Sequence, residues 1–205
     1  NGERATPIRG GFEMGKLAFL FPGQGSQAVG MGKQLAENNK EVANVFAKAD
    51  EVLQDSLSEV IFEGPQEKLT LTTNAQPALL TTSFAILTAL KEYDITPDFV
   101  AGHSLGEYSA LVAAGALTFE DAVYAVRKRG EYMEEAVPGG EGAMAAILGA
   151  DPHMLKQVTE EVTSEGHAVQ IANMNSTKQI VISGTKQGVE IASQRAKENG
   201  AKRAI

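Results

Sequence analysis

Residues 99–106 run Phe-Val-Ala-Gly-His-Ser-Leu-Gly, a short apolar stretch that ends in the pattern Gly-x-Ser-x-Gly. An Ala-rich segment with a helical pattern, residues 106–116, follows directly. A serine held between a strand and a helix, with a glycine two positions away on each side, is typical of a nucleophile elbow. The pattern therefore predicts that Ser104 is an activated nucleophile that carries an acyl group as a covalent ester. The alternative is a tight glycine-rich turn with a solvated serine.

The sequence also predicts where the negative charge of an oxyanion would be stabilised near Ser104. The backbone N–H of Leu105 would point from a helix N-terminus toward the space beside Ser104, where it would stabilise an oxyanion. A second glycine-rich turn, residues 23–27, follows the apolar run at residues 16–21. A plain loop, a phosphate-binding turn and a second oxyanion donor all suit it, although a nucleotide site is disfavoured because the Walker lysine is absent. His103 flanks the serine, and we expect a structural hydrogen bonder there rather than the base.

Alternating strand and helix patterns place this serine in an α/β domain. The runs at residues 16–21 and 99–101 have the length of buried strands. Helical patterns cover residues 31–62, 77–92, 106–116 and 119–136. Pro77 is expected in the first turn of its helix. We expect residues 1–13 to be a leader or cloning remnant, and residues 14–138 to form this larger domain, which is incomplete.

After Pro138 the pattern changes, and residues 139–205 predict a small α+β domain. Strands are predicted at residues 143–148, 169–172, 179–183 and 201–205, with a turn at residues 173–176. Helices are predicted after the N-caps Asp151 and Thr185, and the second one stops at Gly200. The order β-α-β-β-α-β is that of a ferredoxin-like unit. Because nothing follows the last strand to pair with it, we expect a truncated chain.

Composition and charge exclude several classes of protein. The 205 residues are 43% hydrophobic and 21% charged, a balance typical of soluble globular proteins. The net charge of −8 argues against a nucleic-acid-binding protein, which needs an excess of Lys and Arg on one face. No cysteine is present, so thiol nucleophiles and thiolate metal sites are excluded. Residues 69–90 are uncharged but too polar for a membrane span, and no secretory signal is visible, so a cytoplasmic protein is expected.

Two motifs, residues 21–27 (Phe-Pro-Gly-Gln-Gly-Ser-Gln) and residues 102–108 (Gly-His-Ser-Leu-Gly-Glu-Tyr), resemble the malonyl-CoA:acyl-carrier-protein transacylases of bacterial fatty acid synthesis. Further matches stand in the family's order between Lys16 and Ile205: Gln76-Pro77-Ala78-Leu79, Arg129-Gly130 with Met133, Gly142-Ala143-Met144 and Asn173-Met174-Asn175-Ser176. The resemblance implies an α/β fold, with an α/β-hydrolase-like larger domain and an inserted ferredoxin-like small domain. It also implies an enzyme without a bound cofactor or metal.

The resemblance implies a role for each motif. Ser104 would take the malonyl group from malonyl-CoA, and the phosphopantetheine thiol of acyl carrier protein would then accept it. The backbone N–H groups of Gln24 and Leu105 would form the oxyanion hole. Arg129 would hold the free malonyl carboxylate by a two-pronged pair. On composition alone Arg127 is an equally good candidate, and a solvated helix face is the alternative for both.

Further substrate-binding positions follow from the resemblance: His103, Met133, Met144 and Asn173. Ordinary core packing is an equal alternative for the two methionines, and Asn173 could simply stabilise a turn. The carrier protein is expected to be acidic, which makes a basic docking patch of Lys197, Lys202 and Arg203 a candidate, with a solvated helix end as the alternative.

One departure from the family concerns the general base. The family's base is a histidine that follows shortly after the matched segment, and neither His153 nor His167 stands at that position. We therefore expect the 205-residue polypeptide to transfer malonyl groups poorly. Three alternatives remain at this point: a serine hydrolase or esterase, an acyltransferase domain of a polyketide synthase, and a non-catalytic fragment.

Overall fold

The computed structural model describes residues 15–136 and 141–205, and the chain divides into two compact units between Met133 and Glu134. The predicted leader, residues 1–13, and the predicted domain boundary at Pro138 lie outside the described residues. In the part of the chain that is described, no helix is both long enough and apolar enough to cross a membrane. Each unit has its own hydrophobic core.

The described residues of the first unit form a two-stranded parallel sheet and a set of helices. Strand β1 (Ala18–Phe21) pairs with β2 (Phe99–Gly102), so that both strands end at the same edge of the sheet. The helices are α1 (Lys33–Asn38), α2 (Lys40–Leu53), α3 (Leu57–Glu63), α4 (Gln66–Thr70), α5 (Thr72–Leu90), α6 (Gly106–Ala113) and α7 (Phe119–Ala136), with a 3-10 helix at Lys91–Tyr93. The turns that follow β1 and β2 are therefore neighbours.

The core of the first unit draws on helices α2, α3, α5 and α7. In α2 the buried residues recur at three- and four-residue spacing, as in an amphipathic helix: Val42, Val45, Phe46 and Ala49. The helix begins where the Asn39 side chain accepts the backbone N–H of Glu41 and Val42, and it ends at Gln54 in a left-handed conformation. The helical patterns predicted for residues 31–62 correspond to three separate helices, α1, α2 and α3.

Helix α5 begins earlier than predicted. The sequence placed Pro77 in the first turn, but the helix starts at Thr72 and the proline lies inside it. Pro77 cannot donate to the carbonyl of Thr73, which removes one helical hydrogen bond. Tertiary packing offsets this loss, because every residue from Asn74 to Thr82 is buried. Burial therefore overrides the local preference of proline for a helix start.

The prediction that both strands are buried is wrong for this chain. Leu20 is 77% exposed and Phe99 is 61% exposed, whereas Phe21 is buried. Helix α6, which follows β2, contacts both strands. An apolar run shows that a strand is suited to burial, but its pattern does not say which segments cover it.

The described residues of the second unit form a four-stranded antiparallel sheet and two helices. Its elements are β3 (Gly142–Leu148), α8 (Pro152–Ser164), β4 (Val169–Ser176), β5 (Gln179–Thr185), α9 (Lys186–Glu198) and β6 (Arg203–Ala204). The sheet order is β4-β5-β3-β6. The N-caps form as predicted, since the side chains of Asp151 and Thr185 accept the N–H groups of Met154 and Gly188. The predicted order of elements, β-α-β-β-α-β, is confirmed.

Residues 173–176 are not the predicted turn but the second half of β4. Asn173 lies opposite Val181, and Ser176 lies opposite Gln179. The register shifts between Ile171 and Asn173, and again further along, which breaks the alternation of apolar side chains that marks a strand. This irregularity explains why the sequence resembled a turn.

The last strand has a partner within the unit. Strand β6 pairs antiparallel with β3, and Ala204 lies beside Ile147. The partner lies more than fifty residues before residue 201, not in a segment that follows it, as the sequence prediction assumed. Ile147, Leu155 and Ile182 are fully buried in the core that this sheet forms with its helices.

Candidate active site

The turn between β2 and α6 holds Ser104 in a strained backbone conformation. Its φ is 54°, in the left-handed region that residues other than glycine rarely adopt, and the residue is exposed. The carbonyls of His103 and Ser104 accept the N–H groups of Gly106 and Glu107 at 2.9 and 3.1 Å, which leads the turn directly into the helix. Strain of this kind persists only where the surroundings fix it, and it clusters at active sites. Ser104 thus has the strand-turn-helix context that the motif requires.

Close backbone packing explains the glycines of both turns. A Cβ on Gly102 would lie 1.9 Å from the backbone of Gly106, and a Cβ on Gly106 would lie 2.2 Å from the carbonyl oxygen of Phe21. A Cβ on Gly23 would lie 2.7 Å from the carbonyl oxygen of His103. The N–H of His103 also donates to the Phe21 carbonyl at 3.2 Å. The turns after β1 and β2 therefore lie directly against each other, with His103 at their junction.

These adjoining turns carry the two predicted oxyanion donors. Among residues 15–136, neither the N–H of Gln24 nor that of Leu105 donates to a backbone carbonyl. The Leu105 side chain is fully buried, and its N–H stands at the start of α6, where the helix dipole adds positive potential. The Gln24 side chain donates to Thr72 Oγ1 at 3.1 Å, which ties its turn to the start of α5. Leu105 is thus held by packing, and the exposed Gln24 is held by its side-chain hydrogen bond.

Arg129 reaches the serine from α7. Its Nη2 donates to Ser104 Oγ at 3.0 Å, and its Nη1 donates to Gln76 Oε1 at 2.6 Å. The guanidinium carbon lies 6.0 Å from the centroid of the Tyr108 ring. These contacts come from the serine turn, α5 and α6. Three elements therefore fix the plane of the guanidinium, whose rigid fork suits a carboxylate.

The cations next to Arg129 in sequence are paired with carboxylates, whereas Arg129 is not. Arg127 contacts Asp55 at 3.1 Å, and Lys128 contacts Glu131 at 2.6 Å. Within residues 15–136 and 141–205, no carboxylate lies within ion-pair distance of Arg129. Arg129 is therefore the one of the three whose charge is available to a bound anion. Composition left Arg127 and Arg129 equivalent and the family resemblance favoured Arg129; the tertiary structure separates them by their partners.

Two residues that contact Arg129, Gln76 and Tyr108, were not assigned to the site from the sequence. Gln76 is fully buried in α5, where its Nε2 donates to Met133 Sδ at 3.3 Å. A buried amide costs free energy unless its polar atoms are paired, so a glutamine in a helix of mostly small and apolar residues calls for a reason. Gln76 could therefore have been singled out from the sequence as a polar side chain that needs partners in this helix.

Helix α7 approaches α5 closely enough for these contacts because residue 130 is glycine. A Cβ on Gly130 would lie 2.9 Å from the carbonyl oxygen of Thr72. Met133 follows on the same helix and is 47% exposed, so ordinary core packing does not describe it. The group assembled within the first unit thus consists of Ser104 with its turn, Gln24, Leu105, Gln76, Tyr108, Arg129 and Met133.

Other predicted residues belong to the second unit. Met144 is 62% exposed on β3, and Asn173 is half-buried on β4. His153 is exposed in the first turn of α8, and His167 is half-buried just after that helix. The basic candidates lie at the end of α9 and around β6: Lys197, Lys202 and Arg203. Among the described residues of both units, no cluster of three or more His, Asp or Glu could hold a metal ion.

Comparisons with known proteins give a consistent result. Residues 18–205 match the model of the acyl transferase domain family. The chain is 69% identical over 192 residues to the malonyl CoA-acyl carrier protein transacylase of Bacillus subtilis, which covers 94% of this chain and 61% of that relative. The acyl-carrier-protein S-malonyltransferase of Bartonella henselae has a TM-score of 0.87 at 47% identity, over 94% of this chain and 62% of its own. A malonyl-transacylase solved in complex with a type II polyketide synthase acyl-carrier protein has a TM-score of 0.87 at 45% identity, over 93% and 62%.

The chain spans 61% of the length of the Bacillus subtilis relative and 62% of the two structures. Its α/β fold is that of the malonyltransferase structures it resembles. The family match covers nearly all of the residues that the structure describes. On this evidence the chain belongs to the acyl transferase domain family.

Proposed function

We propose that this chain supplies the serine, the oxyanion hole and the carboxylate anchor of an enzyme that moves a malonyl group from malonyl-CoA to acyl carrier protein. The observation that carries the proposal is the guanidinium of Arg129, which has no anionic partner among the described residues and donates to Ser104 Oγ. A nucleophile beside an uncompensated cation suits an acyl group with a free carboxylate. The identity of the acyl group and of the acceptor follows from the relatives, which are malonyl transacylases that act with acyl carrier protein.

In the first half-reaction Ser104 Oγ attacks the thioester carbonyl of malonyl-CoA, while a general base takes the hydroxyl proton. The carbonyl oxygen becomes an oxyanion, which accepts hydrogen bonds from the N–H groups of Gln24 and Leu105. Collapse of the tetrahedral intermediate breaks the carbon–sulfur bond. The protonated base returns its proton to the leaving thiolate, and the malonyl group stays on Ser104 as an ester. Arg129 holds the malonyl carboxylate throughout.

In the second half-reaction the phosphopantetheine thiol of acyl carrier protein attacks the malonyl-Ser104 ester. The base accepts the thiol proton, the same two N–H groups stabilise the oxyanion, and the proton passes to Ser104 Oγ as the ester breaks. The products are malonyl-carrier protein and free enzyme. No step requires a cofactor or a metal beyond the two substrates.

We propose that the base is none of the three histidines in this sequence. His103 lies at the junction of the two turns, where its Nδ1 would lie 3.1 Å from a Cβ on Gly23, and this position supports a structural role beside the turn rather than that of the base. His153 is exposed in the first turn of α8 and His167 follows that helix, and neither stands at the position of the family's base. A 205-residue polypeptide is then expected to form and transfer the ester slowly, because general-base catalysis contributes about 10²- to 10⁴-fold. Transfer at rates typical of the family from a mass-verified 205-residue chain would contradict this.

We propose that the larger domain, residues 14–138, is α/β-hydrolase-like and that residues 139–205 form an inserted ferredoxin-like domain. The antiparallel order β4-β5-β3-β6 with two helices supports the second assignment, and the serine turn between β2 and α6 supports the first. A cytoplasmic location, substrate contacts of His103, Met133, Met144 and Asn173, and a carrier-protein patch of Lys197, Lys202 and Arg203 remain predictions.

The proposal is tested by incubating the protein with malonyl-CoA and mapping the acylated peptide by mass spectrometry. We expect a malonyl ester on Ser104 that is lost in S104A and retained in S176A, a matched serine of the second unit. R129A should lower the preference for malonyl-CoA over acetyl-CoA by about 10- to 100-fold, because a charge-assisted pair contributes about 1.5–3 kcal/mol. An ester on another residue, or an unchanged preference in R129A, would overturn the assignment.

A further inference from the structure

We infer that Gln76 is a specificity-determining residue: as a neutral acceptor it orients Arg129 without cancelling the charge that a carboxylate-bearing acyl group needs. The inference rests on the proposed function, in which Arg129 binds the free carboxylate. Gln76 contacts Arg129 and Met133 rather than the reacting atoms. It is therefore a positioning residue.

The orientation of the Gln76 amide follows from the chemistry of its neighbours. A guanidinium only donates hydrogen bonds, so the amide oxygen has to face Arg129, and it does so at 2.6 Å. The amide nitrogen then needs an acceptor, which Met133 Sδ provides at 3.3 Å. Because Gln76 is fully buried, water does not compete for either contact. The Met133 thioether thus holds the neutral amide, and the amide holds one side of the guanidinium.

The neutrality of the Gln76 amide matters because the groups that contact Arg129 are uncharged. Its partners are a hydroxyl, an amide and an aromatic ring, from Ser104, Gln76 and Tyr108. Arg127, on the same helix, contacts the carboxylate of Asp55 and is thereby neutralised. A carboxylate at position 76 would do the same to Arg129, and more strongly, because it would be buried where the effective dielectric constant is low.

Two substitutions separate this role from a merely structural tie between α5 and α7. Q76E keeps the size of the side chain and an acceptor for Arg129 but adds a negative charge. Q76L removes the acceptor and adds no charge. If Gln76 only ties the helices together, Q76E resembles the wild type and Q76L is the impaired variant. If Gln76 sets specificity, Q76E is the more impaired variant in binding a carboxylate.

The test measures binding of two unreactive thioethers by isothermal titration calorimetry. S-(2-carboxyethyl)-CoA and S-ethyl-CoA cannot acylate Ser104, and they differ only in the carboxylate. We expect the wild type to prefer the first by about 10- to 100-fold, which is the effect of a charge-assisted pair. Q76L should lower this preference by about 3- to 10-fold, and Q76E should reduce it to within about 2-fold of no preference. In both variants the affinity for S-ethyl-CoA should change less than the affinity for S-(2-carboxyethyl)-CoA, so the ratio of the two affinities is the readout.

Q187E is the matched control, since it adds the same charge at an exposed position of α9 and should keep the wild-type preference. A folded Q76E with the wild-type preference would overturn the inference, and so would an unchanged preference in Q76L should Q76E fail to fold. A preference that is lost in R129A but kept in Q76E would overturn this inference alone. A wild type without any carboxylate preference would overturn the proposed function as well.

Discussion

The second unit builds its hydrophobic core on its sheet, whereas the first unit builds its core among its helices. In the second unit β6 pairs with β3, and Ile147 and Ile182 are fully buried. In the first unit Leu20 and Phe99, on adjacent parallel strands, are 77% and 61% exposed. Parallel sheets are normally covered on both faces, because their crossover helices pack on each side. The first unit therefore draws its stability from a helical core, and Ser104 follows a strand that lies outside that core.

The contacts that hold the turns around Ser104 differ from those that form the two hydrophobic cores. The turns around Ser104 are held by close backbone contacts at glycines, by a hydrogen bond from His103 to Phe21 at the end of β1, and by polar contacts from α5 and α7. The second unit has a separate core with no residue in common with the first. Substitutions in one unit should then leave the stability of the other unchanged.

The largest effect should come from G102A. The added Cβ would meet the Gly106 backbone at 1.9 Å, and backbone atoms cannot move aside as a flexible side chain does. We expect a loss of about 3 kcal/mol or more in the first unit, measured by urea denaturation, with the transition of the second unit unchanged. G166A is the control: its φ is +97° but nothing lies within 4 Å of the new Cβ, so only the second unit should lose about 1–2 kcal/mol. Equal losses in both variants would contradict the packing argument.

A cavity in the second core should have the next largest effect. Ile182 is fully buried, and I182A should cost about 2–5 kcal/mol in the transition of the second unit alone. Ser104 acylation by malonyl-CoA should be unchanged at temperatures where that unit stays folded. Parallel loss of both unfolding transitions would show that the two cores are coupled and would remove the contrast between the units.

A charge on the exposed sheet should have little effect. Leu20 is 77% exposed, so L20K in the 205-residue polypeptide should change the stability of the first unit by less than about 0.5 kcal/mol. L105A, at a fully buried position next to the serine, should cost about 2–5 kcal/mol. Thermal unfolding followed by circular dichroism compares the two. A large loss in L20K would mean that this strand face is covered.

The smallest effect concerns acid stability. The Arg195 guanidinium donates to the Glu165 carboxylate and holds the pKa of Glu165 below its ordinary value. A carboxyl whose pKa is lowered in the folded state stabilises it above the ordinary pKa, and this contribution is lost as the pH falls through the lowered pKa. We expect E165Q to flatten slightly the decline of the second unit's melting temperature below about pH 5.

Asp98 supplies the matched case in the first unit. The N–H of Leu17 and the ammonium of Lys16 both donate to its carboxylate, and they lower the pKa of Asp98. D98N should flatten the acid response of the first unit and leave that of the second unit unchanged. Both pairs are exposed, so a large shift from either variant would contradict this account.

Local patterns in the sequence predicted most of the elements. Asp151 and Thr185 marked helix starts because their side chains cap N–H groups a few residues away. The Gly-x-Ser-x-Gly pattern marked the serine turn because the glycines satisfy contacts within the same short segment. The predictions that were wrong concern features that depend on residues distant in the sequence. Burial carried α5 through Pro77, and register shifts against β5 made residues 173–176 resemble a turn.

By itself, the sequence determined the order of the elements, the serine turn and the resemblance that points to malonyl transfer, because these depend on neighbours a few residues apart. The tertiary structure alone decided that Arg127 pairs with Asp55 whereas Arg129 contacts Ser104. It also decided that the buried Gln76 orients Arg129. Asp55 and Gln76 are about fifty to seventy positions from the arginines they contact, and no periodic pattern encodes such a distance. Ion pairing and burial are properties of the packed chain, so the partner of each charge emerges only from the fold.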